Sequence, residues 1–338
     1  MALIEVEELR KTFTTVVRRA GAFGAVRSLL AREYRDVRAV DGVSFHVQAG
    51  EVVGYIGPNG AGKSTTIKML TGILVPSGGR IEIDGRVPHR QRVEHVRKIG
   101  VVFGQRSQLW WDLPTIESFE LLRHIYRIPV RRWKENLATF DDLLELRPFL
   151  DTPVRQLSLG QRMRADVAAA LLHDPMILFL DEPTIGLDVV ARERIRQFLT
   201  KINRERGVTI ILTTHDLEDI ERLCPRVVLI DHGHVIYDGA LETLRTRYGK
   251  RRTVVVDFDQ DINGIQVDRA DVVRREGPRV WLSFDRETTT AAALIADVAA
   301  RYRIRDLTVE EPDIEAIVRG IYESGLQELQ ASALAVPA

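Results

Sequence analysis

The 338-residue chain is short of most features that would send it out of a cell or into a bilayer. Its one cysteine, Cys224, excludes an intrachain disulfide and makes a reducing cytosol the expected compartment. No apolar run approaches the ~20 residues needed to cross a membrane. The nearest, Val167 to Leu180, is interrupted by His173-Asp174-Pro175. The opening Met-Ala-Leu-Ile-Glu-Val-Glu-Glu has neither the basic nor the apolar region of a signal peptide. A soluble chain is therefore expected, with any membrane role coming through a partner. Neither sign of charge is in excess: Lys+Arg and Asp+Glu both total 48, so nothing draws the whole chain to nucleic acid. Internal repeats are also lacking.

What is present is a 45% hydrophobic composition, enough for a sizeable core, at a length suiting one large domain with an appendage, or two domains. Strand candidates at Leu3 to Val6, Val40 to Val47, Val52 to Ile56, Arg80 to Ile83, Ile99 to Phe103, Met176 to Leu180, Thr209 to Thr213 and Val227 to Ile230 alternate with helical patterns. Such alternation predicts an α/β fold around a largely parallel sheet. The stretch from about Thr115 to Leu172 is helical without alternating, and reads as a helical insertion. After Tyr248 to Arg252 the texture changes to two strands, Thr253 to Phe258 and Arg279 to Phe284, and helices at Thr290 to Tyr302 and Asp313 to Tyr322. Glu310-Glu311-Pro312 before Asp313 is the expected start of that last helix. This predicts a small α+β unit over 248–325 behind a main domain of 1–247, with 326–338 as a frayed tail.

Between Val52–Ile56 and a helical run from Ser64 to Leu74 lies Gly57-Pro58-Asn59-Gly60-Ala61-Gly62-Lys63-Ser64-Thr65, a complete G-x-x-x-x-G-K-[S/T] loop. Its glycines let the backbone close around an anion, and the new helix aims unpaired N–H groups and its positive dipole end at it. Lys63 would reach the β- and γ-phosphates, and Ser64 would complete the shell of a magnesium ion. A second anchor is Met176 to Leu180 followed by Asp181 and Glu182, an apolar strand ending in two acids at the carboxyl edge of the sheet. Asp181 suits the outer shell of the magnesium, and Glu182 suits a general base for the attacking water. A third is Ser158, a good N-cap before Leu159-Gly160-Gln161, giving another helix end able to meet an anion. Two phosphate-seeking helix ends in one chain suggest a nucleotide shared between two copies.

With these motifs the sequence resembles the ATP-binding cassette (ABC) ATPases over about Ile4 to Gly239. The resemblance implies a P-loop NTPase core with a helical subdomain at about 105–172. It also implies ATP and Mg2+ as cofactors, and ATP hydrolysis coupled to transport. By it Gln105, in Val101-Val102-Phe103-Gly104-Gln105, is the glutamine of a loop touching magnesium and water; Ile185-Gly186-Leu187-Asp188 is the D-loop; and His215 is the switch histidine at the γ-phosphate. Ser158, Gly160, Gln161 and Asp188 would face the ATP of the opposite subunit, and Phe13 would stack on adenine where the family usually has Tyr. Leu159 departs from the family's Leu-Ser-Gly-Gly-Gln. The partners implied are a separate membrane permease and a second ATP-binding subunit, with no nucleic acid. The place implied is the cytoplasmic face of the cell membrane. Exporter-type subunits are the nearest in texture; the alternative is a soluble ABC protein acting on ribosomes or DNA.

Three further features carry less. The basic segment 14–38, absent from a minimal cassette, reads as an amphipathic helix with Val26, Leu29, Leu30 and Tyr34 on one face, lying on the surface or docking on membrane subunits or headgroups. His232-Gly233-His234 reads as a hairpin turn rather than a metal pair. Trp110 and Trp111 suit either core packing or a groove for a coupling helix.

Overall fold

The computed structural model describes residues 2–16, 34–104, 106–214, 216–249, 251–262, 264–310, 314–315 and 317–322. The chain divides into two compact units, Met1–Asp238 and Gly239–Ala338.

The first unit starts with two long strands, β1 (Ile4–Val16) and β2 (Tyr34–Val47), followed by β3 (Val52–Ile56) and helix α1 (Lys63–Leu70). Next come β4 (Gly78–Ile83), α2 (Arg92–Val96) and β5 (Ile99–Phe103). A helical stretch holds α3 (Thr115–Ile125), α4 (Val130–Leu144) and α5 (Leu159–Leu171), linked through short 3-10 turns at Arg147–Phe149 and Val154–Gln156. The chain then alternates through β6 (Ile177–Asp181), α6 (Val189–Arg206), β7 (Thr209–Thr213), α7 (Leu217–Leu223), β8 (Arg226–Asp231) and β9 (His234–Ala240).

Two sheets result. The six-stranded sheet runs β5-β6-β7-β3-β8-β9, and β5, β6, β7, β3 and β8 are parallel. Its central strands are buried along nearly their whole length, which is why they read as continuous apolar runs. The three-stranded antiparallel sheet runs β2-β1-β4. Helix α1 lies in the core between them: Ile67, Met69 and Leu70 are fully buried with Val40, Phe45 and Ile83 of one sheet and Tyr55, Phe179 and Ile230 of the other. Buried apolar surface contributes about 25 cal/mol per Å2, so the phosphate loop is fixed at both ends by elements that cannot move without opening this core.

In the second unit, α8 (Leu241–Tyr248) precedes β10 (Arg251–Phe258), β11 (Ala270–Glu276), β12 (Arg279–Asp285), α9 (Ala291–Arg301) and β13 (Ile304–Glu310). The sheet order is β11-β12-β10-β13, all antiparallel. Leu294 and Val298 of α9 close a core with Val254, Val256, Phe258, Val280, Leu282 and Phe284.

Several expectations need correction. The two ends of segment 14–38 are strand, not helix: Thr14 pairs with Asp36, Thr15 with Arg35 and Val16 with Tyr34. The β-branched Thr14, Thr15, Val16 and Val37 favour this pairing, and it removes Tyr34 from any helical face. Val26, Leu29 and Leu30 lie outside the described residues. The second unit has four strands where two were expected, and its compact limit falls at Gly239, ahead of the texture change near Tyr248. Of the last helix, residues 311–313 and 316 lie outside the described residues, while Ile314, Ile317, Val318 and Ile321 are buried at helical spacing. The hairpin at His232-Gly233 is as expected, both residues taking positive φ (45° and 81°) between β8 and β9. Among the described residues, no helix is long and apolar enough to cross a membrane.

Candidate active site

The phosphate loop joins the end of β3 to α1 in a conformation that only glycine permits at one key place. Gly62 is the N-cap of α1 with φ 105°, and a Cβ there would lie 2.4 Å from the Ala39 carbonyl oxygen. No side chain caps α1, and its first turn holds no acid, so its leading N–H groups keep their capacity for an anion. Lys63 is 6% exposed and donates to the carbonyls of Gly57 (2.6 Å) and Pro58 (3.1 Å). Burial pulls its ammonium below the ordinary range, and the Glu182 and Asp181 carboxylates oppose that pull. A polyanion entering here meets a cation that burial has left short of solvent. The loop is also gripped from outside: Gly233 N–H donates to Ala61 O (3.1 Å), and Asp41 N–H donates to Gly233 O (2.9 Å).

The ends of β6 and β7 supply the acids. The Ser64 hydroxyl donates to Asp181 Oδ1 at 3.2 Å, and the Thr213 hydroxyl donates to the same oxygen at 2.5 Å. Thr213 was missed in the sequence, because its place follows from strand register: Asp181 pairs with Thr213 across β6 and β7. Glu182 follows with φ 56°, a left-handed conformation rare for a glutamate. Its N–H donates to Thr213 O (2.9 Å), and its carbonyl oxygen lies 2.1 Å from where a Cβ on Gly104 would be. These contacts turn Glu182 out of the strand and into a cleft of about 820 Å3, lined also by Gly57, Asn59, Ser64, Arg106 and Asp181. Arg106 is a cation at the cleft that sequence reasoning passed over.

The donor set at Ser64 and Asp181 is all oxygen, a hydroxyl beside a carboxylate, which suits a hard divalent cation completed by substrate phosphates and water. Among the described residues no group of three or more His, Cys, Asp or Glu is placed to hold a metal ion.

The second helix end is built differently. Ser158 caps α5: its Oγ accepts from Gln161 N–H (3.2 Å), while Gln161 Oε1 accepts from Ser158 N–H (2.9 Å). This reciprocal pair is a capping box, so Gln161 is engaged at home. The hydroxyl proton of Ser158 is still able to donate outward from an exposed position. Asp188 likewise caps α6, accepting from Ala191 N–H at 2.8 Å. The two caps are neighbours: a Cβ on Gly160 would sit 3.2 Å from Ala191 Cβ and 3.8 Å from Asp188 Oδ2. Leu159 packs its Cδ2 3.0 Å from the Cβ position of Gly186, whose φ is 71°. The leucine therefore fills space over the D-loop and leaves the helix start regular.

Gln105 and His215 lie outside the described residues. Their flanks are placed: Gly104 N–H donates to Asp181 O (2.7 Å), and Asp216 is the N-cap of α7, its side chain accepting from Glu218 N–H. Phe13 is 36% exposed with the Lys11 ammonium 5.2 Å from its ring centre. It pairs with Val37 on β2, two residues from the Ala39 carbonyl that abuts Gly62. Trp110 and Trp111 are 39% and 53% exposed, which overturns the core-packing alternative.

Residues 40–185 match the ABC transporter family model. ABC transporter ATP-binding protein NatA of Bacillus subtilis is 36% identical, over 63% of this chain and 88% of that protein. Daunorubicin resistance ATP-binding protein DrrA3 of Streptomyces coeruleorubidus is 32% identical over 88% of this chain and 87% of its own length. Nod factor export ATP-binding protein I of Burkholderia pseudomallei is 41% identical over 62% and 68%. Among solved structures, the dimeric ATP-binding cassette MJ0796 in a post-hydrolysis state with ADP and Pi is 28% identical. It covers 70% of this chain and 98% of its own, with a TM-score of 0.59.

Proposed function

Because this chain belongs to the ABC transporter family of ATP-binding proteins, we propose that its cleft is one half of an ATP site completed by a second copy or a close relative. It is an ATPase of exporter type, and the observation that carries the site assignment is the meeting of Ser64 and Asp181 at 3.2 Å beside Glu182, over the uncapped start of α1. Lys63 and the loop from Gly57 to Thr65 hold the phosphates, and Phe13 supplies a face for adenine. Ser64, Asp181 and Gln105 would hold Mg2+, which neutralises charge on the β- and γ-oxygens. Glu182 accepts a proton from the attacking water as its oxygen bonds to the γ-phosphorus and the bond to the β-γ bridging oxygen breaks. His215, with Ser158 of the opposing copy, stabilises the charge on the departing phosphoryl. Gly160, Gln161 and Asp188 shape the surface that presents that serine.

The relatives named for export or drug resistance support a subunit that drives a separate permease from the cytoplasmic face of a membrane. The exposed Trp110 and Trp111 just past Gln105 suit the groove that receives it. The first unit, Met1–Asp238, would act as the motor and the second, Gly239–Ala338, as an accessory. Glu182→Gln is expected to keep ATP affinity, accumulate a dimer and lose hydrolysis by about 10²- to 10⁴-fold; turnover at the wild-type rate would remove the base assignment. Fractionation of the native chain tests the partner class. Recovery with membranes supports a permease, and recovery with ribosomes or DNA refutes it.

A further inference from the structure

Asp166 lies in the middle of α5, in Ala165-Asp166-Val167-Ala168-Ala169-Ala170, where every neighbour is small or apolar and buried. The acid itself is only 4% exposed. A buried carboxylate costs several kcal/mol unless it accepts hydrogen bonds, so core packing gives no reason for it. Its partners come from outside the helix. Oδ1 accepts from the Ser107 hydroxyl (2.9 Å) and from Gln108 N–H (3.0 Å), and the Gln108 side-chain amide donates to the Asp166 carbonyl (2.9 Å). All three bonds fall on the two residues that begin two positions after Gln105. The same stretch is then held along α5's approach: Arg155 N–H donates to Trp111 O (3.0 Å), Val154 N–H donates to Leu113 O (3.1 Å), and the Arg162 guanidinium stands 5.7 Å from the Trp111 ring.

We propose that Asp166 is a positioning residue that latches Ser107 and Gln108 to α5, so that the Ser158 end of α5 and the stretch 106–111 shift as one body. Asp166 is eight residues from Ser158, about 12 Å along the helix axis, and is buried away from the cleft surface that Glu182 and Ser64 line. It acts by registering two parts of the site whose roles rest on the function proposed above. A merely structural acid would matter through stability alone; a latch matters through turnover at unchanged ATP affinity.

The test uses the full chain in three variants. Asp166→Asn keeps an acceptor for Ser107 and Gln108, Asp166→Ala removes it, and Ser107→Ala removes one donor at a partly exposed position outside the core. The expected result is turnover near wild type for Asp166→Asn and a fall of about tenfold in kcat for Asp166→Ala. Ser107→Ala should give a smaller fall in the same direction, with KM for ATP within about twofold throughout. Amide hydrogen exchange over residues 106–113 should quicken in Asp166→Ala and not in Asp166→Asn. If both kcat and that exchange stay at wild-type values in Asp166→Ala, or in Ser107→Ala should the first fail to fold, the latch is refuted. Absence of ATP hydrolysis in the wild-type chain would instead sink the function reading, and the Glu182→Gln control separates the two.

Discussion

The starts of α1 and α5 are both helix ends of the kind that can meet an anion, yet they are finished in opposite ways. At α1 the N-cap is Gly62, no side chain returns to the backbone, and a buried lysine stands next in line. At α5 a serine and a glutamine satisfy each other's backbone in a capping box, on an exposed surface. An uncapped helix end is a stability debt that a bound anion removes. A capped one is stable by itself and has only a hydroxyl proton to offer. The difference is what the proposed function needs: one end able to grip a nucleotide alone, the other free to add its contact late, from another subunit.

The strongest way to break that contrast is at Gly62. Gly62→Ala forces a side chain into a φ of 105° and to 2.4 Å from Ala39 O, and is expected to cost about 3 kcal/mol. Denaturant unfolding would show it, together with loss of ATP binding. Gly60→Ala is the control: its φ is 86° but nothing lies within 4 Å of the added Cβ, so only the torsional cost of about 1 kcal/mol applies. Next in size is Ser158→Asp. Aspartate caps as well as serine, so stability should hold within about 0.5 kcal/mol. On the proposed function its charge would face the phosphates of the opposing site, and kcat is expected to fall by about a hundredfold. If ATPase activity survived, Ser158 would be a cap and nothing more.

The smallest effects are two pH dependences of opposite sign along α5 and its exit. Burial raises the Asp166 carboxyl to about 6, opposed by its bonds from Ser107 and Gln108. Between the ordinary carboxylate range and pH 6 the native chain binds a proton the unfolded chain does not. Its contribution to stability therefore grows as pH falls through that window. Burial lowers the His173 imidazole to about 4, against its bond to Ile99 O. Below the ordinary histidine range the unfolded chain takes up a proton the native chain refuses, so stability is lost as pH falls toward 4. Urea melts at pH 7 and pH 5 should show Asp166→Asn losing ground to wild type at the lower pH, and His173→Asn gaining it, each by on the order of 1 kcal/mol. Parallel curves for all three chains would mean that neither group titrates in that window.

Much of the site was legible because its chemistry is written in contiguous words. Gly57 to Thr65 sits between a strand and a helix, and Asp181-Glu182 ends an apolar run. What was illegible depends on register between distant strands or on burial. Thr213 earns its place only because β7 ends level with β6. Asp166 looks like any helical acid until its burial is seen. Strands β1 and β2 run on into segment 14–38, where the arginines and spaced apolar residues suggest an amphipathic helix instead. Strands β11 and β13 were missed for a like reason: both lie at sheet edges, where exposed charges such as Arg274, Arg275 and Glu310 discourage unwanted pairing and erase alternation.

The turn at Gly233 gives the phosphate loop a wall from the far side of the first unit, through Ala61 on one hand and Asp41 on the other. The loop is therefore not a portable cassette of nine letters. A fragment ending before that turn would spell the whole nucleotide motif and lack part of the mould that gives it shape. Libraries that randomise only Gly57 to Thr65 will keep meeting a boundary set elsewhere, and substitutions that retune nucleotide affinity should surface at 39–41 and 232–234, positions outside the nine-residue motif.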